Sequence, residues 1–156
     1  MKKVIRIINS IIVLGIMFET IKKKNDIIKS LENKSERDLR NMRLLEQWVF
    51  IKQDDKSIED YLKKNGIKTI AIYGMGLVGE RLYDELKKSS VEVKYAIDRR
   101  GSCLCEDVMV ISPTEMIMPV DAIVVAAVYH FDEIKENLEK RTKIPIISLE
   151  SILFEC

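Results

Sequence analysis

From Val4 onward the chain places a residue on one helical stripe at every third and fourth position: Val4, Ile7, Ile11, Leu14, Phe18, Ile21, Asn25 and Ile28. All but Asn25 are apolar, and alternating spacings of three and four are those of a coiled-coil seam. A lone Asn at such a position fixes register and strand number. Ile5, Ile8, Ile12 and Ile16 widen the stripe, which suits a bundle or an interface better than a two-stranded coil. The polar residues from Glu32 to Arg37 predict a break. A second helix is expected after it, with Leu39, Met42, Leu45 and Trp48 on one face. Ser57 and Asp60 have the spacing of a capping box, with Asp in place of Glu, and open a short helix through Tyr61 and Leu62. Gly66 then stands where a helix C-terminal glycine belongs.

Beyond Asp54-Asp55-Lys56 the pattern changes to short apolar runs alternating with helical periodicity. Strands are expected at Thr69 to Tyr73, Val91 to Ile97, Val108 to Ile111, Ala122 to Ala127 and Pro145 to Leu149. Helices are expected from Leu77 to Lys88, briefly at Glu115-Met116 after Ser112-Pro113-Thr114, from Asp132 to Arg141, and as a last turn from Ser151 to Phe154. The run Ile123-Val124-Val125-Ala126-Ala127 lacks alternation, as in strands covered on both faces. The fold class that follows is α/β: a five-stranded parallel Rossmann-like sheet in the order 3-2-1-4-5, preceded by a helical segment. Residues 1–55 form an oligomerisation or docking segment in this reading, and residues 56–156 the nucleotide-binding domain.

The first strand runs into Gly74-Met75-Gly76-Leu77-Val78-Gly79, a G-x-G-x-x-G turn that opens a helix. Such a turn holds a phosphate against the helix N-terminus. The first glycine allows the tight turn, the second lets backbone approach a phosphate, and the third lets helix pack closely on strand. Asp98 ends the next strand about 20 positions on, where a carboxylate accepts the ribose hydroxyls. Arg99 and Arg100 follow and could instead face a phosphate, as in NADP or a sugar nucleotide. Tyr129 and His130 follow the fourth strand at its carboxyl end, where ligands sit in open α/β sheets. They are the candidates for chemistry, and His130 is the only histidine. No hydroxyl or thiol has a second histidine partner, so no triad can be assembled. Tyr83 and Lys87 have the Tyr-x-x-x-Lys spacing but fall on the helix after the glycines, and are read as surface. Cys103 and Cys105 form a lone C-x-C, and with Cys156 they fall short of a metal site.

Composition narrows the classes. Across 156 residues, 26 basic and 25 acidic side chains leave a net charge of +1, which gives no reason to expect a nucleic-acid partner. The 3 cysteines form no repeated pairs, which fits a reduced cytoplasmic compartment. The apolar run from Val4 to Phe18 follows Met1-Lys2-Lys3 as in a signal peptide, but Glu19-Thr20-Ile21-Lys22-Lys23-Lys24 stands where a cleavage site would. A packing or oligomerising helix is therefore expected; the alternatives are a helix lying on or anchoring to a membrane and, last, a signal or true span.

The segment from Lys68 to Leu153 resembles the Rossmann-like domains of bacterial surface-polysaccharide and sugar-nucleotide enzymes, through Ile70 to Gly79, Ala96-Ile97-Asp98, Ile111-Ser112-Pro113 and Asp121 to Val125. It is similar to the N-terminal domains of sugar acyltransferases, to polysaccharide-biosynthesis epimerase/dehydratases and to the C-terminal domain of sugar C-methyltransferases. The resemblance implies NAD(P) or a nucleotide-sugar as ligand and a role beside cell-surface glycan synthesis. Those enzymes carry a further β-helix or catalytic domain, and this sequence reaches Cys156 with neither. The expectation is a nucleotide-binding module, not in itself an enzyme, that joins a second copy or a glycan enzyme through residues 4–31. The alternatives are an NAD(P)-dependent oxidoreductase or epimerase subunit completed by a partner chain, and a scaffold whose glycines only shape a turn.

Overall fold

The structure, a computed structural model, describes residues 2–99 and 108–156, with side chains from residue 14 onward. Two compact units divide the chain, Met1–Arg40 and Asn41–Cys156. The first is helix throughout its described length, part of α1 (Lys2–Gln53). The break expected at Glu32 to Arg37 does not occur. That stretch contains neither Gly nor Pro, and its Asn and Ser cost a helix at most about 0.7 kcal/mol each, too little to interrupt an established helix. Leu14, Met17, Phe18, Ile21, Ile28 and Leu31 are each more than half exposed. Among the described residues no helix is long and apolar enough to cross a membrane.

The second unit contains the end of α1, then α2 (Ile58–Lys64), β1 (Thr69–Tyr73), α3 (Leu77–Leu86), β2 (Glu92–Ile97), β3 (Val110–Ile111), β4 (Ala122–Val125), α4 (Phe131–Glu139), β5 (Ile146–Ser148) and α5 (Leu149–Glu155). The strands form one parallel sheet in the order β3-β2-β1-β4-β5, as the sequence predicts. Successive side chains of a strand point to opposite faces, and here both faces are covered. Ile70, Ile72 and Val124 face a core closed by α1, α2, α3 and α5, with Leu44, Trp48, Leu62 and Leu82 among its members. Ala71, Ile123 and Val125 face a second core closed by Ile134 and Leu138 of α4. Tyr83, expected at the surface, is buried in the first of these cores. Its helix turns that face to the sheet, whereas Lys87 pairs with Asp84 at 2.6 Å.

Caps fix the element ends. Ser57 Oγ accepts the Asp60 amide at 3.1 Å and starts α2. Gly66 follows the end of that helix with φ +73°, the left-handed conformation that terminates helices. The helix expected at Glu115-Met116 is instead a turn, closed by the Glu115 amide on Ser112 O and by the Ser112 amide on Glu115 Oε1. The Arg141 guanidinium donates to the carbonyls of Pro113 and Glu115. Ile117, Met118 and Val120 are drawn onto the second core, and Pro119 could not continue a helix.

Glu85 joins three elements of the first layer. Its carboxylate accepts from Trp48 Nε1 at 2.6 Å, Lys52 Nζ at 2.6 Å and the Ile58 amide at 3.2 Å. Removing it strands the indole N–H and a helix-start amide, groups that cost free energy when left without acceptors. Glu85→Ala should lower unfolding free energy by about 1–3 kcal/mol in chemical denaturation, and Glu85→Gln, which keeps one acceptor oxygen, by less. Equal losses in the two variants would show that packing, and not the hydrogen bonds, holds this corner.

Candidate functional site

β1 delivers the chain to the carboxyl edge of the sheet, where the glycine turn begins. Gly74 has φ +94°, and a Cβ there would lie 2.9 Å from Ala127 Cβ and 3.1 Å from Ala127 N. Both the backbone angle and the approach of the chain after β4 demand glycine. Gly79 lies in the first turn of α3, and a Cβ on it would fall 2.0 Å from the Gly74 carbonyl oxygen. No side chain fits between helix and turn at that separation.

Gly76 is different. It caps α3 with φ −88° and ψ −167°, extended backbone open to any residue, and offers the helix no side-chain cap. Its amide neighbours begin a helix of 10 residues whose first N–H groups have no partner inside the helix. Met75 and Val78 turn their side chains into the first core, while Leu77 is 57% exposed. Only backbone groups and Leu77 are thus offered outward by the turn.

Asp98 follows β2 and is a buried charged residue, 8% exposed. Its Oδ2 accepts the Met75 amide at 2.8 Å. The neighbouring Gly74 amide donates to Ile97 O at 2.8 Å, so β2 is tied to the turn at two successive amides. Arg99 is exposed beside it. Arg100, Cys103 and Cys105 lie outside the described residues.

Tyr73, the last residue of β1, completes this edge. Burial pushes its phenol above the ordinary value. The Arg99 and Arg141 cations oppose that shift, and the Asp98 and Glu133 carboxylates add to it. No sequence motif marks Tyr73 as a site residue; its one signal is its position, just before the glycines and at the carboxyl end of an otherwise aliphatic strand. Tyr129 and His130 stand on a 3-10 turn, Val128–His130, between β4 and α4. Their rings meet edge-on with centroids 5.0 Å apart. His130 Nδ1 lies 3.9 Å from Glu133 Oε2, too far for a direct hydrogen bond. The arrangement can bind an anion on backbone amides and place aromatic rings nearby.

Among the described residues no three His, Cys, Asp or Glu side chains converge as metal ligands. Cys156 is half-buried, with Sγ 3.8 Å from Ser57 O, and burial pushes its thiol up. No protein-family model, curated protein or solved structure matches the chain.

The geometry separates the glycines. Gly79→Ala should cost roughly 1–3 kcal/mol or more, because the new methyl collides with a carbonyl that cannot move without moving β1. Gly76→Ala should cost no more than about 1 kcal/mol, the usual difference at a helix cap. Thermal denaturation of both variants measures the contrast, and equal losses would place Gly76 among the structural glycines.

Proposed function

We propose that the chain is a nucleotide-binding module, with a pyrophosphate seated on the turn Gly74 to Gly79 and the N-terminus of α3, and the ribose toward Asp98 and Arg99. The observation that carries this reading is Gly76. Gly74 and Gly79 are needed by the fold, whereas Gly76 has extended φ and ψ that place no demand for glycine on the backbone. A glycine there clears space beside the first amides of α3, which is what an approaching phosphate uses. NAD(P) and nucleotide-sugars are the ligand classes proposed. The link to surface-glycan synthesis rests on the resemblance carried by Ile70 to Gly79, Ala96-Ile97-Asp98, Ile111-Ser112-Pro113 and Asp121 to Val125 alone.

A second reading has an observation of its own. Tyr129, His130 and Tyr73 gather at the same end of the sheet as the glycine turn. In an NAD(P)-dependent subunit completed by another chain, these groups would lie nearest the reacting atoms.

Melting of the wild-type protein with NAD, NADP, UDP-sugars, CDP-sugars and CoA tests the module. A ligand at 100 times its Kd adds about 2.7 kcal/mol to stability. We expect one nucleotide class to raise the melting temperature and Gly76→Val to abolish the rise. Absence of any rise with the wild type, or the same rise with the valine variant, would sink the reading.

We also propose that the first unit attaches the protein to a second copy of itself. Its helix exposes a wide apolar stripe, and burying each such side chain contributes roughly 1.5–3 kcal/mol. The full chain should sediment as a dimer or larger species, and replacing Leu14, Ile21 and Ile28 together by Ser should yield a monomer. Flotation with liposomes would reassign the stripe to a membrane surface, and a lipid-indifferent wild-type monomer would remove both attachments.

A further inference from the structure

We infer that Asp98 is a positioning residue: its carboxylate holds the glycine turn in the path that presents the α3 amides to a ligand. The ligand side of this statement rests on the nucleotide reading, but the hold on the turn does not.

Several features converge on it. The register of the sheet pairs Tyr73 with Ile97, so the two chains leave β1 and β2 side by side. Gly74 then reaches Ile97 O and Met75 reaches Asp98 Oδ2, both at 2.8 Å. The turn would otherwise be the loosest part of this edge, because two of its first three residues are glycines, which lose the most conformational freedom on folding. Asp98 is itself fixed, since its own amide donates to Ile111 O at 3.0 Å and so anchors it to β3. Finally, a carboxylate buried to this degree requires donors, and a charge-assisted bond to a backbone amide is among the stronger ones. The Met75 side chain, 1% exposed, pins the same residue from the core side. Carboxylate and thioether together leave Met75 little freedom, and the next residue is the Gly76 cap.

This assignment differs from ribose binding in what it asks of residue 98. Positioning needs an acceptor oxygen at the Met75 amide, which Asn supplies and Ala does not. Ribose binding needs the charged acceptor facing the ligand, which both substitutions remove.

Hydrogen exchange of the ligand-free protein, read at the Met75 amide, makes the test. Asp98→Ala should speed exchange there roughly 10-fold or more, and Asp98→Asn should restore most of the protection. In titrations, Asp98→Ala should weaken NAD and inorganic pyrophosphate alike, because both use the turn. Wild-type protection at Met75 in Asp98→Ala overturns the inference. So does loss of NAD affinity with pyrophosphate affinity unchanged, the signature of a ribose ligand. If the alanine variant does not fold, Asp98→Asn decides: it should keep most of the wild-type protection at the Met75 amide, and loss of that protection overturns the inference. The exchange arms use no ligand, so a wild type that binds no nucleotide defeats the nucleotide reading and not this one.

Discussion

The carbonyl oxygen of Gly74 presses against the first turn of α3, 2.0 Å from where a side chain on residue 79 would begin. That approach sets how closely α3 lies on the end of β1. With α3 at that distance, Leu82 and Leu86 reach the first core and the helix start faces the carboxyl edge of the sheet. Ala127 closes on Gly74 from the other side. The turn is thus squeezed between helix and β4 at both ends, by approaches the fold needs for its own packing.

Around this contact the fold uses carboxylates to collect backbone amides at element ends. Glu85 takes the first amide of α2, Asp98 takes Met75, Glu59 takes Ser90, Glu115 takes Ser112, and Asp121 takes Lys68 and Thr69. These bonds lie where strand and helix ladders stop and N–H groups lack partners. The Asp121 carboxyl is held below its ordinary value chiefly by the Lys68 and Thr69 amides, and that of Glu59 by Ser90. No buried side-chain nitrogen or oxygen among the described residues lacks a partner.

The first unit obeys a different rule. Among the described residues of Met1–Arg40, Leu14, Ile16, Met17, Phe18, Ile21, Ile27, Ile28, Leu31 and Leu39 are all more than half exposed, so packing contributes little to this part of the helix. Past Arg40 the same helix gives Leu44, Trp48 and Ile51 to the core of the second unit. One unbroken element therefore serves both units, which the polar stretch at Glu32 to Arg37 conceals in the sequence.

Local chemistry determined much of this protein. Unbroken apolar runs marked β1 and β4, three glycines marked the turn into α3, and alternation of strand and helix gave the parallel order 3-2-1-4-5. These features are legible because period and turn chemistry act within a few residues. The docking of the last turns of α1, the bracing of the turn at Glu115, and the burial of Tyr83 involve partners far along the chain: Glu85 for Trp48, Arg141 for Pro113, the sheet for α3. Asp98 shows the division most plainly. Sequence placed it at the end of β2, but only the pairing of Tyr73 with Ile97 brought its carboxylate to the Met75 amide, because strand register is a property of two segments together and of neither alone.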